Sequence, residues 1–177
     1  MSNDAVESEV EIPRLPQAAG RLFLDKEGRW FHEGVEITHE RTLRLFSRSL
    51  VRQPDGSYSL QIGDESAPVD VEDTAFVVRS ISARMDKQGK PAEYVLVLSD
   101  GGEEPLDPST LEVDEDNVMY CRVKNGVEKA RLLRPAYYQL CSFLECDEAG
   151  QTCWLPWQGS KVILCSREQV AGTGHEI

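Results

Sequence analysis

Long apolar runs and histidine are both scarce in this chain of 177 residues, which contains three histidines. A membrane helix needs roughly 20 consecutive apolar residues, and no segment of the sequence approaches that length, so we expect no membrane span. The first dozen residues, MSNDAVESEVEI, lack the basic start and apolar run of a secretory signal. These absences predict a cytoplasmic protein.

Positive charge is also in short supply. The chain has 19 Lys and Arg against 31 Asp and Glu, a formal net charge of −12 at pH 7. Binding to DNA or RNA depends on many basic side chains that neutralise phosphates. We therefore expect no nucleic acid polymer among the partners.

Signatures of catalysis and metal binding are missing as well. The sequence has no G-x-S-x-G elbow, Walker A loop, G-x-G-x-x-G or H-E-x-x-H string. It has no C-x2-C pair for zinc, and without a sign of export we expect reduced thiols. The five cysteines all lie in the second half: Cys121, Cys141, Cys146, Cys153 and Cys165. We predict no metal, no cofactor and no catalytic residue; the alternative is a hydrolase or redox enzyme that uses His32 or a cysteine.

The elements that are present predict an α+β protein. Residues 1–18 are acidic and proline-containing, typical of a flexible tail; residues 19–73 and 74–167 form two α+β units, and residues 168–177 a loose C-terminus. Apolar spacing predicts a helix over 39–51 with Thr38 as N-cap, and a second helix that begins at Arg134-Pro135. Residues 101–117 are expected to be an acidic loop, and Asn125-Gly126 predicts a hairpin turn.

Two segments of the chain resemble each other at a shift of 92 residues. With Gly34 placed on Gly126, both blocks contain Gly-Val-Glu and then run from a hairpin through an amphipathic helix to a strand pair. Coincidence is the alternative explanation of so short an identity. The matching order of elements favours an internal duplication into two similar small subdomains, each an antiparallel sheet plus helix, with a cleft between them.

Arginine is concentrated in both blocks. Arg41, Arg44, Arg48 and Arg52 fall on one side of the first predicted helix, and the second block carries a further basic group: Arg122, Lys124, Lys129, Arg131 and Arg134. Guanidinium groups bind carboxylate and phosphate bidentately, so a shared cleft would suit an anionic small molecule stacked on Trp30 or Tyr137. The alternative is a solvated face whose arginines pair with the surplus acids.

Three strings resemble the bacterial family called domain of unknown function 1285: RLFLDKEGRWFHEGVEI, VDVEDTAFVV and DNVMYCRVKNGVEKARLLRPAYYQL. The likeness covers roughly Arg21 to Ser166. It implies a duplicated α+β core, a second domain similar to pleckstrin-homology folds, and a site for a nucleotide-like ligand at the domain interface with a role in signal transduction. The positions it implies for that site are Trp30, His32, Arg122, Arg131 and Arg134.

The leading functional hypothesis is thus a non-enzymatic regulatory or signalling protein. It binds a small anionic, nucleotide-like ligand between the two units through Trp30, His32, Arg122, Arg131, Arg134 and Tyr137. The alternative is a protein–protein adaptor that binds no small ligand.

Overall fold

A computed structural model describes residues 21–166. The tails predicted over 1–18 and 168–177 therefore lie outside the described residues. Within the described range there are two α-helices, α1 (Glu40–Arg48) and α2 (Arg134–Cys141), and one 3₁₀ turn (Pro108–Thr110). Neither helix in this part of the chain has the length and apolar character needed to cross a membrane.

The first sheet contains six strands. Their bounds are β1 Leu22–Leu24, β2 Trp30–His32, β3 Val35–Glu36, β4 Leu50–Arg52, β5 Tyr58–Ile62 and β6 Glu65–Val71. The spatial order is β3-β2-β1-β6-β5-β4. Two antiparallel meanders are thus joined at the centre by a parallel pair, in which Leu22 of β1 lies opposite Val69 of β6.

The second sheet also contains six strands. Their bounds are β7 Phe76–Met85, β8 Pro91–Leu98, β9 Glu103–Pro105, β10 Glu112–Val113, β11 Met119–Val123 and β12 Glu128–Leu132. The order is β10-β11-β12-β7-β8-β9, and the central pair of β7 with β12 is again parallel. The predicted acidic loop over 101–117 is therefore wrong in part, because β9, the 3₁₀ turn and β10 all lie within it.

The two sheets have the same topology. Listed from its opposite edge, the second sheet has the order β9-β8-β7-β12-β11-β10. This is the order of the first sheet with six added to each strand number, which supports the predicted duplication. The units differ from the prediction in two ways. Each sheet is mixed rather than purely antiparallel, and only the first unit has an α-helix between its two meanders; the second has the 3₁₀ turn there, and α2 follows its last strand.

The 92-residue register of the repeat is wrong. It places the β2–β3 turn on the β11–β12 turn, whereas the topology equates β2–β3 with β8–β9. The two turns also differ in length: Glu33 and Gly34 alone connect His32 to Val35, but four residues separate Val123 from Glu128. Positive φ angles at Gly34 (81°) and Gly126 (82°) explain the shared glycine, because tight turns favour glycine at such positions.

Helix α1 is shorter than predicted. It ends at Arg48 with Ser49 as C-cap, and its N-cap is His39, whose side chain accepts from the Thr42 N–H, rather than Thr38. Residues 50–52 form β4 instead, because Leu50 pairs with Leu60 in the sheet. Sheet pairing here overrides the helical spacing of the apolar residues.

A third, three-stranded sheet follows α2. It consists of β13 (Glu145–Cys146), β14 (Thr152–Trp157) and β15 (Ser160–Ser166), with β14 in the centre. A disulfide joins Cys146 to Cys153. The expectation of reduced thiols is wrong for this pair, because the hairpin register sets the two cysteines directly opposite each other.

Each large sheet buries one face. The first core lies between the first sheet and α1 and contains Leu22, Leu24, Trp30, Phe46, Leu60 and Val69. The second core lies between the second sheet, α2 and β14, with Leu96, Leu140 and Leu155 among its fully buried side chains. Leu50 and Tyr58 pack against both cores, so the two units abut through their apolar interiors.

Candidate functional site

Side chains of the two units contact one another across the junction between them. Tyr58 of the first unit donates its hydroxyl hydrogen bond to the Glu128 carboxylate of the second, at 2.6 Å, and Glu128 is 8% exposed. At the turn between β1 and β2, Gly28 lies against Val77 of β7. Leu50 adds a further contact, so side chains of both units meet at the junction where the sequence predicted a ligand.

The two predicted basic groups meet at a single residue. Arg48 of α1 donates from Nε to the backbone carbonyl of Asp100, at 3.1 Å. Lys124 Nζ lies 2.7 Å from the carboxylates of both Asp100 and Glu104. Burial alone would lower the pKa of Lys124, but hydrogen bonds to these two carboxylates raise it above its ordinary value. Internal acids therefore already neutralise the cation from the second group.

The predicted ligand residues of the first sheet lie on its inner side. Trp30 is 1% exposed; its ring packs edge-on against Phe46, with centroids 5.3 Å apart, and its Nε1–H donates to Ser47 Oγ. A stacking role for Trp30 is wrong, because the ring is a core side chain. His32 is half-buried, and its Nε2 is buried without a hydrogen-bond partner in residues 21–166.

The predicted ligand residues of the second unit have separate environments. Arg131 donates from Nη1 to Asp73, at 2.8 Å, in the segment that links the two sheets. Arg122 is exposed on β11, Arg134 is exposed at the start of α2, and Tyr137 packs half-buried against the second core. Trp30 and His32 share a strand, and Arg134 and Tyr137 share a helix.

The first predicted arginine group forms an exposed stripe on α1. At about 100° per residue, Arg41, Arg44 and Arg48 lie within about 60° of one another, opposite the buried Phe46. We call these three residues the arginine face. All three are exposed, and the one carboxylate of the described residues within 4.0 Å of them is Glu40, 3.7 Å from Arg44.

Five other basic side chains of the described residues have closer acidic partners. Carboxylate oxygens lie 2.6–2.8 Å from the basic nitrogens of Arg29, Arg84, Lys124, Lys129 and Arg131. Other exposed cations of the described residues, such as Arg122 and Arg134, also have no carboxylate within 4.0 Å, but the arginine face is distinct because it places three guanidinium groups on one side of a single helix in a chain with a net charge of −12.

An apolar pocket that sequence reasoning missed lies on the outer face of the first sheet. Its volume is about 550 Å³, and its lining residues are Arg21, Phe23, Phe31, Glu33, Gly34 and Asp70. Phe23 and Phe31 alternate with buried residues of β1 and β2, so they lie on the opposite face, with ring centroids 6.0 Å apart. The unbroken apolar run through Leu22, Phe23 and Leu24 was the available signal, since both faces of the strand carry apolar side chains.

Comparisons with known proteins agree with this architecture. Residues 16–74 match the model of the DUF1285 N-terminal domain, a domain of unknown function. The fold resembles the crystal structure of a DUF1285 family protein from Silicibacter pomeroyi DSS-3, with a TM-score of 0.65 and 21% identity over 84% of this chain and 81% of that one. It also resembles a DUF1285 family protein from Shewanella baltica OS155, with a TM-score of 0.54 and 20% identity over 68% of this chain and 90% of that one.

A search of curated proteins gave no match. At these identities, the two structures establish a shared fold and say nothing of a ligand. The family-model match to the first unit and the common fold together confirm the resemblance seen in the sequence. Residues 16–74 thus match the N-terminal domain of the DUF1285 family, and the chain shares the fold of two DUF1285 family proteins.

Proposed function

We propose that this protein is a non-enzymatic interaction protein whose arginine face docks an acidic segment of a partner protein. The observation that supports the proposal is the exposed, largely unpaired positive charge of Arg41, Arg44 and Arg48 on an acidic chain. A cytoplasmic location and a second unit similar to pleckstrin-homology folds belong to the same proposal.

The shape of the arginine face favours a protein partner over a small molecule. Small-molecule sites are concave and bury most of their ligand. The arginine face instead lies on the convex outer side of a nine-residue helix. An extended acidic segment can contact all three guanidinium groups at once, and each guanidinium can bind a carboxylate through two hydrogen bonds.

The charge of the whole chain adds specificity to this docking. Acidic surfaces elsewhere on the molecule repel an acidic partner, whereas the arginine face attracts it, so the encounter is steered to one place. Because the charges are exposed, the affinity must fall as ionic strength rises. These two properties distinguish the proposed contact from apolar adhesion.

The test is capture from an extract of the native cells, followed by calorimetry with the purified partner. The variant R41E/R44E changes the net charge by −4 on the arginine face. K87E/K90E makes the same change in the exposed turn between β7 and β8. We expect R41E/R44E to weaken binding by about tenfold or more, which is about 1.4 kcal/mol, and K87E/K90E to bind as the native chain does.

Two results would contradict the docking proposal. One is a captured partner whose affinity is equal for both variants and insensitive to salt. The other is the absence of a stoichiometric partner from the extract.

A small anionic, nucleotide-like ligand with a signalling role is the second candidate. The observation in its favour is that Arg48 and Lys124, one from each basic group, both bond to Asp100. A ligand that binds the folded state raises the melting temperature by mass action. A thermal-shift screen with nucleotides and phosphorylated metabolites tests this candidate; no shift at millimolar concentration would eliminate it.

A further inference from the structure

The apolar pocket of the first sheet is separate from the arginine face. Helix α1 packs on the inner face of this sheet through Phe46, whereas Phe23 and Phe31 lie on the outer face. The pocket volume of about 550 Å³ lies in the range of roughly 300–1,000 Å³ that small-molecule sites occupy. The proposed docking of a protein partner leaves these residues unused.

Two aromatic rings form the walls of the pocket. The planes of Phe23 and Phe31 are inclined at 48°, and both side chains are half-buried, so each ring keeps apolar surface open to solvent. The β2–β3 turn is tied to the start of β1, because the Glu33 N–H donates to the Arg21 carbonyl at 3.3 Å. Gly34 has no side chain to cover the mouth of the pocket. The rings thus form an accessible corner that can cover an apolar group of a ligand.

The charges that line the pocket do not cancel. Arg21 forms an ion pair with Asp70, so these two side chains neutralise each other. Glu33 is exposed and forms no ion pair with any side chain of residues 21–166. One positive and two negative side chains leave the pocket with a net charge of −1. A bound ligand with a single positive charge would match it.

The rings themselves also favour a cation. The face of an aromatic ring is electron-rich and attracts cations within about 6 Å of its centroid. The Arg29 guanidinium already lies 5.9 Å from the centroid of Phe31. Its Nε donates to the Asp25 carboxylate at 2.7 Å, so this arginine is neutralised by Asp25 and leaves the charge of Glu33 unpaired.

We propose that the Phe23–Phe31 pocket binds a small organic cation with one positive charge and an apolar body, of the class of aromatic and quaternary amines. The apolar body covers the two rings, and the cationic group lies between a ring face and the Glu33 carboxylate. Anionic compounds of the same size are excluded by Glu33 and by the net charge of −12. This binding does not depend on the docking proposal, because it uses the opposite face of the sheet.

Nuclear magnetic resonance titration of the full-length ¹⁵N-labelled chain tests the proposal. The probes are benzyltrimethylammonium, benzyl alcohol and benzoate, which share a phenyl ring and carry positive, zero and negative charge. We expect benzyltrimethylammonium to bind at millimolar concentration and at least about fivefold more tightly than benzoate. The amide signals expected to shift are those of the pocket: Phe23, Phe31, Glu33 and Gly34.

Two variants and a matched control separate the contributions of charge and ring. Glu33→Gln should weaken benzyltrimethylammonium binding by about two- to fivefold and leave benzyl alcohol binding unchanged. Glu115→Gln makes the same charge change at an exposed position before β11 and should bind as the native chain does. Phe31→Leu keeps an apolar side chain but removes the ring, and should weaken binding of the cation by about two- to fivefold.

Three results would overturn the cation-site proposal. They are unshifted pocket amides with benzyltrimethylammonium, equal affinity for benzyltrimethylammonium and benzoate, and a Glu33→Gln variant that binds the cation as tightly as the native chain. The first two are measured on the native chain, so the test remains decisive even if Phe31→Leu fails to fold.

Discussion

Gly28 shows how one residue can control the contact between the two units. It lies in the β1–β2 turn with φ +76°, and a Cβ placed on it would lie 2.6 Å from Cγ2 of Val77 in β7. The valine side chain is stiff, because its branched Cβ restricts χ1. A methyl group at this position must therefore push the two units apart or distort the turn.

We predict that Gly28→Ala destabilises the fold by about 2–4 kcal/mol, the sum of a left-handed backbone penalty of about 1 kcal/mol and an overpacking term of about 1–3 kcal/mol. The matched control is Gly56→Ala, which has φ +88° but no neighbour within 4 Å. It should lose only the backbone part, about 1 kcal/mol. Urea unfolding measures both; equal losses would show that the Val77 contact contributes nothing.

The sequence could predict the turn at Gly28 but not its neighbour. The DKEG string is typical of a turn, whereas Val77 is 49 positions away, and its proximity depends on how the units pack. Trp30 shows the same limit for the candidate site. An aromatic residue on a short strand fits a stacking platform or a core equally well, and only the approach of Phe46 from α1 decides for the core.

Among the helices, α2 is attached to its sheet by a polar contact as well as by apolar packing. Gln139 accepts from the backbone N–H of Ile81, at 2.7 Å, just after the irregular pairing between Val78 and Ser80 in β7. Ala136 and Leu140 of the same helix are fully buried. The Gln139 side chain thus provides the Ile81 N–H with a hydrogen-bond acceptor that pairing between the strands does not supply.

Gln139→Met is predicted to destabilise the fold by about 1–2 kcal/mol, because it leaves the Ile81 N–H without an acceptor. Gln139→Glu keeps an oxygen at the same position and serves as the matched control, with little loss expected. Urea unfolding compares the two, and amide hydrogen exchange at Ile81 reports the bond directly. Unchanged protection of this amide in the methionine variant would contradict the prediction.

Elements that depend on local chemistry were predictable, whereas those decided by sheet pairing were not. The start of α2 at Arg134-Pro135 follows from proline in a first helical turn, and the structure agrees. The end of α1 did not follow from its apolar spacing, because Leu50 fits a helix stripe as well as a strand opposite Leu60. The repeat register failed for a related reason. The Gly-Val-Glu string recurs because tight turns favour glycine, and it does not mark equivalent positions in the two units.

At the scale of the whole molecule, three tyrosines make the fold sensitive to alkali. Burial, reinforced by the bond to Glu128, raises the pKa of Tyr58 to about 12. Burial and the nearby Glu145 raise the pKa of Tyr94 to about 12, and burial with Asp73 does the same for Tyr120. All three side chains lie at contacts between elements distant in sequence, so their ionisation affects the assembly of the units.

We predict that stability falls between about pH 10 and about pH 12. An unfolded tyrosine has a pKa of about 10, so the folded state holds these protons where the unfolded state releases them. Their contribution is complete below about pH 10 and is lost as the pH rises through about 12. Urea midpoints across this range, with tyrosinate absorbance, measure the effect. Tyr58→Phe should flatten the dependence; an identical slope would contradict the role of Tyr58.

The parallel pair at the centre of each sheet sets the order in which the protein can assemble during synthesis. In each unit the first and last strands to emerge are neighbours, so a nascent chain can form its outer hairpins early but lacks the middle of the sheet until the end. The first sheet can be completed only after the chain has been synthesised to Val71, and the second only after it has been synthesised to Leu132. Adjacent ends also explain how a second copy could be appended through a link of only four residues, 72–75, without disturbing either fold.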